Sequence, residues 1–167
     1  MVKHHAQQLA TFASSAAYLQ RSTSGMAGGS PWPCDEGPEL SRSFMALKVW
    51  FTLKVYGRTR LGNIIAHSCT LAEYLKQLIE HTPELELMAP VTLNIVCYRY
   101  RCASELEANR VNQLLVNALQ NSGISAPSST YLQGKFAIRA ALVNHRTQHR
   151  DIDNLLQTTL ALAKHIT

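Results

Sequence analysis

Arg139 combines a side chain and a sequence setting that suit the binding of a carboxylate. It lies in the segment from Lys135 to Val143, whose alternation is typical of a β-strand. In a strand it shares a face with Ala137 and Ala141, and these small neighbours leave room for a planar carboxylate to meet the guanidinium in bidentate fashion. A structural ion pair at a domain boundary explains Arg139 equally well, so both interpretations stay open.

Ser41 is the second candidate, because its position suits an anion. The pattern predicts that Ser41 caps a helix running toward Tyr56, which Gly57 ends. Free N–H groups and the helix dipole favour a negative charge at such a helix N-terminus. As a plain N-cap, Ser41 needs no ligand, and that alternative also stays open.

Motifs of other catalytic and metal sites are absent from the 167 residues. There is no phosphate-binding G-x-x-x-x-G-K-[ST], no G-x-S-x-G and no H-E-x-x-H. The four cysteines form no C-x-x-C pair, and the near histidine pairs, His4-His5 and His145/His149, lack carboxylates at ligand spacing. We therefore expect no metal site, and we interpret Cys97 as a small core residue.

Composition favours one folded domain with an attached segment and argues against nucleic acid and membrane. The hydrophobic content of 46% is enough for one core. The net charge of +5 is poorly clustered, with Arg58-Thr59-Arg60 as the nearest basic run, so nucleic-acid binding is not expected. The N-terminus has no apolar stretch of signal-peptide or membrane-span length, and we expect a cytoplasmic protein.

The elements that must position these residues are predicted from hydrophobic periodicity. A modest helix covers residues 8–19, and from residue 41 the order is helix, helix, strand, helix, strand, strand, helix. The predicted bounds are 41–56, 61–80, 91–98, 104–123, 130–132, 135–143 and a last helix from Asp151. The helix over 41–56 is apolar on most sides, which predicts burial between layers or at a subunit contact. The fold class is α+β, with a small, largely antiparallel sheet and helices on one side.

A long loop from Ser22 to Pro38 separates the first helix from the rest. Its three prolines and four glycines predict that it has no regular structure. Loops of this length are functional lids or linkers, and Trp32 favours a lid that docks on another surface. A flexible linker is the alternative.

Several collinear segments resemble the group II pyridoxal-phosphate-dependent decarboxylases, which include aromatic amino acid, glutamate, histidine and diaminobutyrate decarboxylases. The segments are GPELSRSFMALKVW at 37–50, NIVCYR at 94–99, GKFAIR at 134–139, NHRT at 144–147 and DID at 151–153. The resemblance implies the small C-terminal domain of the aspartate-aminotransferase-like fold, known as fold type I. It assigns residues 1–47 to the end of the large cofactor domain, with a mobile loop at 22–38, and residues 48–167 to the small domain.

The same resemblance implies roles for the two candidates. Arg139 falls where some members place an arginine that pairs with the substrate carboxylate, and Ser41 approaches the cofactor phosphate of the neighbouring subunit in some members. The family lysine that holds pyridoxal 5′-phosphate follows a histidine, and no lysine of this chain stands in that context. We therefore expect a C-terminal fragment of an amino acid decarboxylase that is inactive alone and forms a homodimer or associates with a longer homologue.

Two alternatives remain beside that function. Many members carry a tyrosine in the mobile loop that protonates the carbanion, and residues 22–38 contain none, so the parent reaction is decarboxylation or a related one such as oxidative deamination. The chain could instead be a noncatalytic module that binds a full-length homologue through the apolar helix over residues 41–56.

Overall fold

A computed structural model describes residues 3–13, 23–25, 28–29, 32–39, 41 and 43–167. The chain forms two compact units, Met1–Lys54 and Val55–Thr167. In the first unit, helix α1 spans His5–Phe12 and a 3-10 helix spans Pro33–Glu36. The helix predicted over residues 8–19 therefore begins earlier, and residues 14–20 lie outside the described part. The assignment of residues 1–47 to a cofactor domain stays a prediction.

The 3-10 helix corrects the expectation that the loop over residues 22–38 has no regular structure. Pro33 occupies its first position, where a missing N–H costs nothing and a fixed φ suits a helical turn. The backbone N–H of Trp32 donates to the Asp35 carboxylate at 3.1 Å, and Gln8 of α1 donates to the Glu36 carbonyl at 2.7 Å. This part of the loop thus packs on α1, while the lid interpretation stays a prediction.

Helix α2 spans Met45–Glu80 and is interrupted at Gly57, where φ is 73° and ψ is 162°. Glycine fits this backbone because side chains with a Cβ rarely adopt positive φ. The predicted break between two helices at Gly57 is confirmed, but the start is wrong, because α2 begins at Met45 rather than after Ser41. The Met45 N–H donates to the Ser43 carbonyl at 2.8 Å, so a local turn precedes the helix, and Ser41 is not its N-cap.

The N-terminal part of α2 exposes its apolar side chains, so the predicted burial between layers of this chain is wrong, while burial at a subunit contact stays a prediction. Phe44, just before the helix, and Val55 are each 70% exposed, and Trp50 and Phe51 are each 52% exposed. Nearly every side of this segment is apolar, so no single face is left for solvent. Monomeric soluble proteins rarely leave apolar surface of this extent exposed.

Four strands form one antiparallel sheet in the order β1-β2-β4-β3. They are β1, Leu85–Leu87; β2, Ile95–Tyr100; β3, Ser128–Leu132; and β4, Lys135–Ala141. The β3–β4 hairpin turns at Gln133 and Gly134, both with positive φ, as a tight two-residue turn requires. Strand β1 was not predicted, because three residues are too few to show a periodicity.

The remaining helices are α3, Glu105–Asn121, and α4, His149–Ile166. The Ser104 side chain accepts the Glu107 N–H and so caps α3, at the start of the helix predicted over residues 104–123. One core cluster joins the inner side chains of β2 and β4 with those of all three long helices: Leu71, Leu75, Ile79, Val96, Tyr98, Leu115, Leu119, Phe136, Ile138, Ile152 and Leu155. The α+β layer with helices on one side of the sheet is therefore confirmed.

Candidate functional site

The face of the sheet opposite the core, called here the outer face, holds the candidate residue Arg139. Cys97 and Arg99 of β2 point to it, together with Ala137 and Arg139 of β4, since Val96, Tyr98 and Ile138 face the core. In the register of the sheet, Arg139 lies between Cys97 of β2 and Ser128 of β3. The predicted grouping of Arg139 with Ala137 and Ala141 on one face is confirmed by this alternation.

Arg99 is the buried cation of the outer face, and acidic partners neutralise it. Both of its Nη atoms donate to the Glu105 carboxylate at 2.8 Å, and its Nε donates to Glu86. Its side chain is only 6% exposed. The hydrogen bonds that Arg99 donates to Glu105, together with the contact to Glu86, raise the pKa of Arg99 above its usual value. Three of its five N–H donors are therefore used, and two carboxylates neutralise its charge, which makes Arg99 a poor binder of an anionic ligand.

Through these contacts, Glu105 makes the stability of the fold depend on pH in the acid range. The hydrogen bonds from Arg99, with Lys135 Nζ at 3.3 Å, lower the pKa of Glu105 from 4.5 to about 2. A carboxyl whose pKa is lower in the folded state stabilises that state fully above its unfolded pKa. The stabilisation is lost as the pH falls from about 4.5 through about 2.

The variant Glu105→Gln is expected to flatten the fall of the urea unfolding midpoint between pH 4.5 and pH 2. The amide cannot titrate, so the difference in midpoint between wild type and variant should shrink as the pH falls. Glu84→Gln is the matched control, because Glu84 is exposed and belongs to no ion pair among the described residues. An unchanged pH profile in Glu105→Gln would contradict the coupling.

Arg139 differs from Arg99 because no described carboxylate lies within ion-pair distance of it. Its Nη1 donates to the Ser128 hydroxyl at 3.3 Å, and its side chain is partly exposed. The structural ion pair that the sequence left open is therefore not found among the described residues. A guanidinium that keeps unused donors and is partly desolvated is suited to a carboxylate ligand.

Cys97 is partly exposed on the outer face, so its interpretation as a core residue is wrong. The strand buries Val96 and Tyr98, the other set of the alternation, because these side chains meet the helices. Burial raises the pKa of the Cys97 thiol, and the nearby Arg139 charge opposes this by lowering it. The Cys97 thiol therefore lies close enough to the Arg139 guanidinium, on the neighbouring strand, for that charge to affect its pKa.

Ser41 lies in the first unit and is exposed. Since α2 begins at Met45, the helix dipole and free N–H groups expected at Ser41 lie further along the chain. The described residues therefore do not build a complete phosphate site around Ser41. Arg139 belongs to the second unit.

Other parts of the described residues offer no better site. A cleft of about 510 Å³ near the start of α4 is lined by Arg146 and Asp151 among others. The Asp151 carboxylate already accepts the Gln148 N–H at 2.9 Å, and the opposite charges give the cleft no net preference. Within the same described ranges, no three His, Cys, Asp or Glu side chains could hold a metal ion, and no helix is long and apolar enough to cross a membrane.

Sequence reasoning did not identify Glu86 as a partner of Arg99 or Ser128 as a partner of Arg139. Glu86 lies on the unpredicted β1, and its pairing with Arg99 follows from the β1–β2 register. Ser128 lies two residues before the predicted start of β3. The signal that could have found it is the fixed register of a two-residue hairpin at Gln133-Gly134, which places Ser128 opposite Arg139.

The chain is similar to one protein family and to known enzymes. The model of the family described as pyridoxal-dependent decarboxylase conserved domain matches residues 1–101. The aromatic-L-amino-acid decarboxylase of Bacillus atrophaeus is 34% identical over 133 residues, which cover 78% of this chain and 28% of that enzyme. Phenylacetaldehyde synthase of Arabidopsis thaliana is 31% identical over 115 residues, which cover 68% of this chain and 24% of that enzyme. The chain thus spans about a quarter of the length of these relatives.

A solved structure agrees with the fold. The crystal structure of Oryza sativa TDC with PLP and tryptamine has a TM-score of 0.70 and 22% identity, over 74% of this chain and 27% of that chain.

Proposed function

Because the chain belongs to the pyridoxal-dependent decarboxylase family, we propose that it is the C-terminal part of a pyridoxal-phosphate-dependent amino acid decarboxylase. In this proposal residues 48–167 are the small domain of fold type I, and residues 22–38 are the lid over the site. The α+β architecture and the family membership support it. The proposed substrate is an amino acid, and the relatives suggest one with an aromatic side chain.

Pyridoxal 5′-phosphate is the cofactor of this family. When bound, it supplies the electron sink for the carbanion that forms when carbon dioxide leaves. None of the six lysines of this chain follows a histidine, which is the context of the family lysine. We therefore propose that the lysine comes from outside this chain, and that the chain alone neither holds the cofactor covalently nor turns over substrate.

Arg139 carries the proposal, as the guanidinium that binds and orients the substrate carboxylate. Two arginines share the outer face, and only Arg99 is neutralised by described carboxylates. Arg139 keeps unused donors and sits among small side chains, so a carboxylate can approach its planar edge. A fixed carboxylate limits rotation of the amino acid and presents one bond to the cofactor.

Ser41 is proposed to contact the cofactor phosphate through its hydroxyl, in a dimer where it reaches the neighbouring subunit. Its exposed position is compatible with such a contact, although it does not cap α2. The exposed apolar segment from Phe44 to Tyr56 supports association with a second subunit or a longer homologue.

A fusion tests the proposal. The part of the Bacillus atrophaeus enzyme that precedes the matched region is joined to this chain, and cofactor binding and carbon dioxide release from aromatic amino acids are measured. We expect the fusion to be active and the isolated chain to show no stoichiometric pyridoxyl-lysine after borohydride reduction. The upstream part without this chain is the control. Stoichiometric labelling of a lysine in the isolated chain, or equal activity of the upstream part alone, would overturn the proposal.

A noncatalytic interaction module is the second candidate, and the exposed apolar segment from Phe44 to Tyr56 favours it. Mixing the chain with the intact Bacillus enzyme separates the two functions. Stable association together with an inactive fusion would favour the module.

The absence of tyrosine from residues 22–38 is compatible with a reaction outcome other than simple decarboxylation. Similarity to a phenylacetaldehyde synthase is compatible with such an outcome. Product analysis of the same fusion decides it, because decarboxylation gives an amine, whereas oxidative deamination gives a carbonyl compound.

A further inference from the structure

Ser128 lies opposite Arg139 in the β3–β4 register and forms two hydrogen bonds with it. Its hydroxyl donates to the Arg139 main-chain carbonyl at 3.1 Å and accepts from Arg139 Nη1 at 3.3 Å. One hydroxyl has one donor and two acceptor positions, so both bonds can exist together. The two bonds tie the tip of the arginine side chain to its own backbone through a neighbouring strand.

We infer that Ser128 is a positioning residue that holds the Arg139 guanidinium in place on the outer face for an incoming carboxylate. The inference rests on the proposed role of Arg139 and deepens it. A free arginine side chain loses considerable rotamer entropy when it binds a ligand, and a side chain that is already fixed loses less. Ser128 reduces this cost because it uses one Nη1 hydrogen and leaves the other guanidinium donors to the ligand.

The surroundings support a local role for this contact. Ser128 is exposed, so its hydroxyl has water as an alternative partner and adds little to the stability of the fold. Arg99, the other guanidinium of the outer face, is held instead by two carboxylates, which neutralise its charge. A neutral hydroxyl fixes Arg139 without neutralising its charge.

Cys97 provides a reporter in the chain as it stands. It lies opposite Arg139 on β2, on the side away from Ser128, and it is partly exposed. Iodoacetate and iodoacetamide alkylate the same thiolate, which displaces iodide, but only iodoacetate carries a carboxylate. The ratio of the two rates at Cys97 therefore measures attraction of a carboxylate to the guanidinium, and it cancels changes in the thiol pKa.

The experiment follows both rates at Cys97 by peptide mass spectrometry in the 167-residue chain. Ser128→Ala is expected to raise the ratio of iodoacetate to iodoacetamide rates about threefold, because a guanidinium that is no longer held on the Ser128 side spends more time beside Cys97. Ser128→Thr keeps the hydroxyl and should restore the ratio. Ser129→Ala is the matched control, and Cys34, Cys69 and Cys102 are internal references whose ratios should not change.

Arg139→Met separates failure of this inference from failure of the proposed carboxylate binding. If Arg139→Met leaves the ratio at Cys97 unchanged, the carboxylate-binding role of Arg139 is wrong. If Arg139→Met lowers the ratio but Ser128→Ala does not raise it, only the positioning role of Ser128 is overturned.

A second measurement does not depend on the thiol. The Arg139 side-chain Nε–H signal is followed by nuclear magnetic resonance as acetate is added. Ser128→Ala should raise the apparent dissociation constant for acetate about threefold with an unchanged circular dichroism spectrum, and equal constants would count against the inference.

Discussion

Replacing Arg139 with Met in the fusion enzyme is expected to raise the KM for the amino acid about 100-fold, which corresponds to about 2.7 kcal/mol. Met retains most of the volume of the arginine stem but has no donor for a carboxylate. A charge-assisted bidentate contact lies at the strong end of hydrogen bonding, and the partly desolvated outer face weakens its screening. The measurement is steady-state decarboxylation at a series of substrate concentrations.

Two further variants make this result specific. Arg139→Lys keeps the charge but not the planar fork, so an intermediate rise of about tenfold is expected. Arg110→Met removes an exposed arginine from α3 and should leave KM unchanged. If Arg139→Met and Arg110→Met gave the same KM as the wild type, Arg139 would not bind the substrate carboxylate.

Asn112→Leu is expected to produce the largest loss of stability, about 3 kcal/mol, or a fall in Tm of roughly 10 °C. Asn112 is fully buried on α3, and its amide completes the backbone hydrogen bonding of Tyr100 at the end of β2. Its Oδ1 accepts the Tyr100 N–H at 2.7 Å, and its Nδ2 donates to the carbonyls of Tyr100 and Ala108. Leucine has a similar size but leaves both Tyr100 backbone groups without this partner.

Urea unfolding of the isolated chain measures the loss, as a lower midpoint with an unchanged slope. Asn117→Leu on the same helix is the matched control, because Asn117 is exposed and its replacement should change stability by no more than about 0.5 kcal/mol. Equal midpoints for the two variants would show that Asn112 does not hold α3 to β2.

The sequence predicted the fold class because local signals and hydrophobic periodicity agree over most of the second unit. Ser104 marks the start of α3, Gln133-Gly134 marks a hairpin, and the positive φ of Gly57 explains the break in α2. These features depend on residues near one another in the chain. They can therefore be recognised without knowledge of the partners.

The predictions that failed depend on contacts between distant segments. The alternation over residues 91–98 has two apolar sets, and the helices decide which set is buried, so Val96 and Tyr98 face the core while Cys97 does not. The start of α2 differs from the prediction because the Met45 N–H donates to the Ser43 carbonyl, whereas a helix capped at Ser41 would need that N–H for its own first turn. The apolar segment of α2 is not buried within this chain, because hydrophobic periodicity does not show which surface covers a helix.

For the candidate site, the sequence by itself determined that Arg139 lies on a strand between small residues, and the segments around it identified the family. Only the tertiary structure showed that Arg99 is neutralised by Glu86 and Glu105 while Arg139 is tied to the neutral Ser128. The physical reason is that the local alternation of residues predicts a strand, whereas the register between strands decides which charged side chains pair. That register brings together residues from β1, β2, β3 and β4 that are far apart in the chain.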